Sequence, residues 1–139
     1  MRTFILLIPM LTTAFALNLN RAITYEEALE IAKEQDKRVM VLMVQDNCRY
    51  CKRMKETTFK DKEVIKRINK DYIFVEINRY KDDYPKKQFS VYGVPTTFFV
   101  NNDDTLIMKG AGGYWGKEDF FSFMDDADFK VKKKIKNNQ

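Results

Sequence analysis

The chain of 139 residues contains no histidine, only two cysteines (Cys48 and Cys51) and a single tryptophan, Trp115. Each shortage excludes a chemistry. Covalent haem attachment uses C-x-x-C-H, and position 52 is lysine. A structural zinc centre takes four ligands, usually thiolate or imidazole, and two cysteines do not close one within a chain. Iron–sulfur ligation by four cysteines fails on the same count. Neither a metal nor another cofactor is expected. Long apolar runs are missing too. The stretch from Phe4 to Leu11 is broken by Pro9 and falls short of the roughly 20 residues a spanning helix needs. There is no Pro/Gly/Ser-rich linker and no internal repeat, so one domain is expected.

Arg2, the short apolar run and the small residues Ala14 and Ala16 make the pattern of a cleaved export signal. Residues 1–16 read as that signal, with an anchor or a buried first helix as the alternative. Residues 17–129 read as the folded domain. So short a signal points to a bacterial periplasm, where cysteines meet an oxidising environment. The net charge of +5 is unevenly placed: residues 130–139, KVKKKIKNNQ, carry five lysines and no acid. They read as a basic flexible tail, with contact to anionic lipid or a partner as the alternative. No basic stripe covers the body, so no nucleic-acid partner is expected.

Strands and helices alternate along the body. Thr24 stands three residues before Glu27, a capping-box spacing, and Tyr25, Ala28, Leu29 and Ala32 then share a helical face. RVMVLMV (38–44) is apolar without alternation, as in a strand covered on both faces. The cysteines follow, with CKRMKETTF as a helix. Asp61 is the expected N-cap of a second piece with Val64, Ile65 and Ile68 inward. YIFVEIN (72–78) is another buried strand. Helix character is expected from Pro85 to Phe89, and TTFFV and TLIMKG make a hairpin about NNDD. A last helix places Phe120, Phe123, Met124 and Ala127 on one face. The order α-β-α-β-α-β-β-α predicts an α/β fold, a mixed central sheet with helices on both faces.

Two uses remain for the cysteine pair. A staple of so short a loop stabilises by only about 2 kcal/mol before strain. A redox couple explains the surroundings better. Cys48 opens a helix, where unpaired N–H groups and the helix dipole favour a thiolate. Arg49, Lys52, Arg53 and Lys55 add positive charge, and Asp46 is the one acid nearby in sequence. Cys51, a turn further in, suits the role of resolving thiol. Tyr50, Tyr114 and Trp115 are candidates for the rim of a substrate surface, with packing as the alternative.

VMVLMVQDNCRYCKRM, YIFVEIN, VYGVPTTFFV and GGYWGKEDFFSFM, taken in order, resemble the thioredoxin superfamily over residues 24 to 127. The resemblance implies a thioredoxin fold and a thiol–disulfide oxidoreductase with Cys48 and Cys51 as catalytic residues. It implies a cis-proline at Pro95 beside them, and a substrate groove in which the Val94 backbone pairs with an extended client strand and Tyr50 borders it. NCRYCKRM looks more like exported thioredoxin-like reductases than cytoplasmic thioredoxins, which have Trp before the first cysteine and Gly-Pro between the two. The implied partners are client proteins with cysteines or disulfides and a membrane-embedded electron donor. A disulfide-forming oxidase, or a binding module with a static disulfide, stays open. An isomerase usually carries a dimerisation domain, for which the chain has no room, so a monomer is expected.

One departure concerns proton transfer. Thioredoxins carry a buried Asp six residues before the first cysteine, and that position here is Leu42. Glu76 interrupts the apolar run of YIFVEIN. A carboxylate there is the candidate to exchange a proton with Cys51 in its place, with a solvent-facing strand-end glutamate as the alternative.

Overall fold

The computed structural model describes residues 17–137; the expected export signal lies outside them. The elements are β1 (Arg21–Ala22), α1 (Tyr25–Glu34), β2 (Arg38–Val44), α2 (Arg49–Glu56), α3 (Lys62–Asp71), β3 (Tyr72–Asn78), β4 (Thr96–Val100), β5 (Ala111–Gly112) and α4 (Lys117–Asn137). A single 3-10 turn, Thr58–Lys60, joins α2 to α3. Local chemistry sets the helix starts. Thr24 Oγ1 accepts the Glu27 N–H at 3.1 Å, and Glu27 reaches back to the Ile23 N–H. Asp61 caps α3 by accepting the N–H groups of Glu63 and Val64.

The five strands run in the order β1-β3-β2-β4-β5. β3 lies parallel to β1 and β2, and β4 lies antiparallel to β2 and β5. The central strands explain their unbroken apolar runs, because each is covered on both faces. Met40, Leu42, Tyr72, Phe74 and Phe99 face one core with Cys51, Met54, Phe59, Phe120 and Met124. Val39, Val41, Met43, Ile73, Val75, Phe98 and Val100 face another with Tyr25, Ala28, Ala32 and Phe89. The mixed sheet expected from the element order is therefore present.

Two local expectations need correcting, at residues 85–89 and at the hairpin, and two stretches, β1 and residues 130–137, carry regular structure that the sequence did not announce. β1 is unannounced in the sequence; two residues carry no period, and only pairing with Phe74 and Val75 makes them a strand. Residues 85–89 form one turn, with Gln88 and Phe89 N–H both on the Pro85 carbonyl. Phe89 is pinned between Tyr25 and Phe98, and one turn so anchored cannot pay for helix nucleation. The hairpin partner of β4 is displaced. TLIMKG makes a single bridge, Leu106 to Val100, while Ala111 and Gly112 supply the strand. The basic tail expected to be flexible continues α4 as helix to Asn137. Lysine propagates a helix well, and nothing in 130–137 breaks one.

Gly110 explains the displaced hairpin. A Cβ there would stand 2.5 Å from Phe98 Cε1 and 2.7 Å from Thr96 Cγ2. Both neighbours are buried in the sheet, so the strand crosses them only as glycine. Gly110→Ala is expected to cost about 1–3 kcal/mol by overpacking, read as a lowered urea midpoint. An unchanged midpoint would show that Phe98 gives way freely.

Candidate functional site

Cys48 and Cys51 form a disulfide with their Cα atoms 5.2 Å apart. The two sulfurs are not equivalent. Cys48 is the N-cap of α2, half-buried, and its Sγ accepts the Cys51 N–H at 3.1 Å. Cys51 lies in the first turn and is 2% exposed, set in the core with Met54 and Phe59. Once the bond is reduced, an approaching partner reaches Cys48 first. Asn47 makes the corner between β2 and α2 with φ of 56°, a left-handed conformation that asparagine tolerates better than most residues.

The charges around the pair are sorted by the fold. Arg49 and Lys52 line a cleft of about 690 Å³ together with both cysteines, Asp46, Asn47, Lys55, Glu76, Asn78 and Asp82. Asp46, the acid nearest in sequence, is engaged elsewhere. Lys81 hydrogen-bonds it at 2.5 Å and holds it below the usual carboxylate range, and Asn78 donates to it as well. Lys55 is paired with Glu76 and Lys52 with Glu56 at 3.9 Å, so Arg49 is the cleft cation without a carboxylate partner among the described residues. Arg53 is turned aside, stacked over the Tyr114 ring at 4.4 Å.

Glu76 is brought under the pair by register. It stands directly beside Leu42 across the parallel β2–β3 ladder, so both side chains leave the same face of the sheet, the face covered by α2. Its Oε1 accepts from Lys55 Nζ at 3.1 Å. Its Oε2 is buried and makes no hydrogen bond among the described residues, with Arg21 Nη1 at 3.7 Å. The Lys55 and Arg21 partners were not legible in the sequence, because one comes from the last turn of α2 and the other from the unannounced β1.

The Val94–Pro95 peptide bond is cis. β4 pairs with β2 through Met43 and Thr96, and the next step of that register sets Pro95 beside Val44, four residues before Cys48. Val94 packs against the same core as Cys48 and Cys51. Its N–H and C=O make no backbone hydrogen bond among the described residues. It lines a separate groove of about 420 Å³ with Ser90, Tyr92, Gly93, Thr96, Gly110, Gly112 and Gly113. Tyr50 is exposed outside the cysteine cleft. Tyr114 and Trp115 are packing residues: Trp115 meets Phe123 edge-on at 4.4 Å, and Thr58 Oγ1 donates to the Trp115 carbonyl. Tyr92, almost fully exposed in the proline loop, is the groove residue that sequence reasoning missed. Nothing in its neighbours marked it.

A mixed sheet with a CxxC disulfide opening the helix after its central strand, and a cis-proline at the adjoining strand, defines a protein of thioredoxin fold with a redox-type cysteine pair. Residues 25–128 match the thioredoxin-like domain family, and the chain belongs to that family. Among solved structures it is similar to "DsbH Oxidoreductase", with 20% identity over 91% of this chain and 92% of that one, TM-score 0.63. It is similar to a thioredoxin from Thermus thermophilus, with 22% identity over 78% and 85%, TM-score 0.60. The oxidised C-terminal domain of DsbD from Neisseria meningitidis gives 19% identity over 76% and 99%, TM-score 0.60. At these identities the likeness is one of fold. No curated protein sequence matches the chain.

Proposed function

We propose that the protein is an exported, periplasmic thiol–disulfide oxidoreductase that works as a monomer and reduces disulfides in client proteins. The observation that carries this reading is the asymmetry of the pair, Cys48 half-exposed at a helix N-terminus and Cys51 buried behind it. In the reduced protein the Cys48 thiolate attacks a client disulfide. A Cys48–client bond forms as the client S–S bond breaks, and one client thiolate leaves. Cys51 gives its proton to Glu76 and attacks Cys48 Sγ. The Cys48–Cys51 bond closes, and the second client thiolate departs and takes up a proton. Two electrons pass from the pair to the client, and a membrane-embedded donor restores them. Arg49 and Lys52 stabilise the Cys48 thiolate. The open backbone of Val94, fixed by Pro95, pairs with the client strand, and Tyr50 borders it.

The same cations favour the reduced thiolate, which supports the opposite direction, donation of a disulfide. The reduction potential against a glutathione or dithiothreitol series separates the two. A value near about −270 mV, as in thioredoxins, supports the reductant, and one near about −120 mV reverses the direction. Insulin-type turnover tests for activity at all.

Glu76→Gln keeps the shape and removes the proton acceptor. Its expected effect is a resolving step slower by about 100-fold, seen as longer-lived mixed disulfide in stopped-flow mixing. The attack by Cys48 is expected to change little. Resolution at the unaltered rate across the pH range would remove Glu76 from the mechanism.

A further inference from the structure

Helix α4 holds to the body as far as Asp128 and then runs on. Asp128 is gripped by Arg38 at 2.7 Å and by Arg67 at 3.2 Å, and Asp125 by Arg67. The inward stripe of Phe120, Met124 and Ala127 is buried, and Val131 and Ile135 continue it over the end of the sheet with rising exposure. The opposite side is unlike an ordinary solvated face. Phe129 points out of the fold, 66% exposed. Residues three, four and seven positions on share its side of a helix, and here these are Lys132, Lys133 and Lys136. Lys130 flanks them, whereas Lys134 lies towards the buried stripe and, with Lys132, borders a cleft that also holds Asp36, Asp71 and Asp103. Among the described residues, none of these five lysines lies within ion-pair distance of a carboxylate.

An aromatic ring standing in water, with Asp125 and Asp126 before it and Lys132, Lys133 and Lys136 after it on one helix face, offers the two attractions of an anionic bilayer, charge to the headgroups and apolar area to the layer beneath them. We propose that the outer face of residues 129–136 docks the protein on an anionic phospholipid surface, with Phe129 entering the headgroup layer. The position suits that use. Arg38, at the start of β2, binds α4 beside this face, whereas Cys48 follows the far end of β2, about 20 Å away at the usual rise per strand residue. A docked molecule holds its cysteine pair away from the bilayer.

The test is sedimentation of the purified protein with vesicles of phosphatidylcholine alone or mixed equally with phosphatidylglycerol. Binding to the mixed vesicles at low ionic strength, its loss in high salt and none to pure phosphatidylcholine are expected. The triple change Lys132→Gln, Lys133→Gln, Lys136→Gln is expected to weaken partition about 100-fold, at roughly five-fold per lysine. Phe129→Ala is expected to weaken it several-fold on vesicles and to leave binding to dextran sulfate, a soluble polyanion without a bilayer, unchanged. Far-UV circular dichroism checks that each variant is folded. No partition onto the mixed vesicles, or equal partition onto both kinds, overturns the proposal. Phe129→Ala binding vesicles as the parent does also overturns it, and assigns the face to soluble polyanions or acidic proteins. None of these readouts depends on thiol exchange.

Discussion

Cys51→Ser is expected to accumulate a covalent mixed disulfide with client proteins, whereas Cys48→Ser is expected to lose turnover by about a thousand-fold or more, to the uncatalysed level. The difference follows from burial. Cys48 caps α2 at the mouth of the cleft, and Cys51 is enclosed by the core residues Met54 and Phe59. Without Cys51 the first exchange still proceeds, but no thiol in the chain is left to resolve it, because the sequence contains only these two cysteines. Without Cys48 the remaining thiol is out of a client's reach. Non-reducing electrophoresis with mass spectrometry reads the trapped species, and dithiothreitol should release it. No turnover by the parent protein and no trapped species in Cys51→Ser would make the disulfide a static staple and the chain a binding module.

The second large effect is on stability. Phe74→Ala is expected to cost about 3–5 kcal/mol, the usual loss when a buried aromatic leaves a cavity. Phe74 is fully buried on β3, between β1 and β2. Its ring meets Phe59 at 5.1 Å, and Phe59 meets Phe120 at 5.3 Å. That chain of rings ties the sheet to the turn after α2 and to α4. Arg21 lies over the outer face of Phe74, 4.9 Å from its centroid, and approaches Glu76 as well. The substitution therefore loosens β1 and the helix that carries the cysteines. A lowered urea midpoint with an unchanged slope is the expected signature. Phe129→Ala, on the exposed side of α4, is the contrast and should stay within about 0.5 kcal/mol.

These contrasts show which features were legible in the chain. Thr24 and Asp61 announced their helices because a cap is a contact between residues two or three apart. The runs at 38–44 and 72–78 announced covered strands because burial on both faces abolishes alternation. Pro85 to Phe89 misled because a single turn has the same local preferences as the start of a helix. The helical course of residues 130–137 was silent in the sequence for another reason. A lysine run has no apolar period to betray its helix, and the stripe of Val131 and Ile135 is too sparse to stand out.

By itself, the sequence determined the class of fold, the pair of cysteines as the chain's distinctive chemistry and the exclusion of haem, zinc and iron–sulfur sites, since composition, spacing and short-range capping are properties of the chain. Only the tertiary structure decided what surrounds the pair. Glu76 lies 25 or more residues from either cysteine in sequence, and it enters their cleft because β3 pairs with β2 in the register that sets it beside Leu42. Asp46 is next but one to Cys48, yet its charge is held by Lys81. Phe129 looks like one more core aromatic until the helical phase turns it outward among lysines. Each of these depends on register or rotation, and both are set by packing of the whole chain.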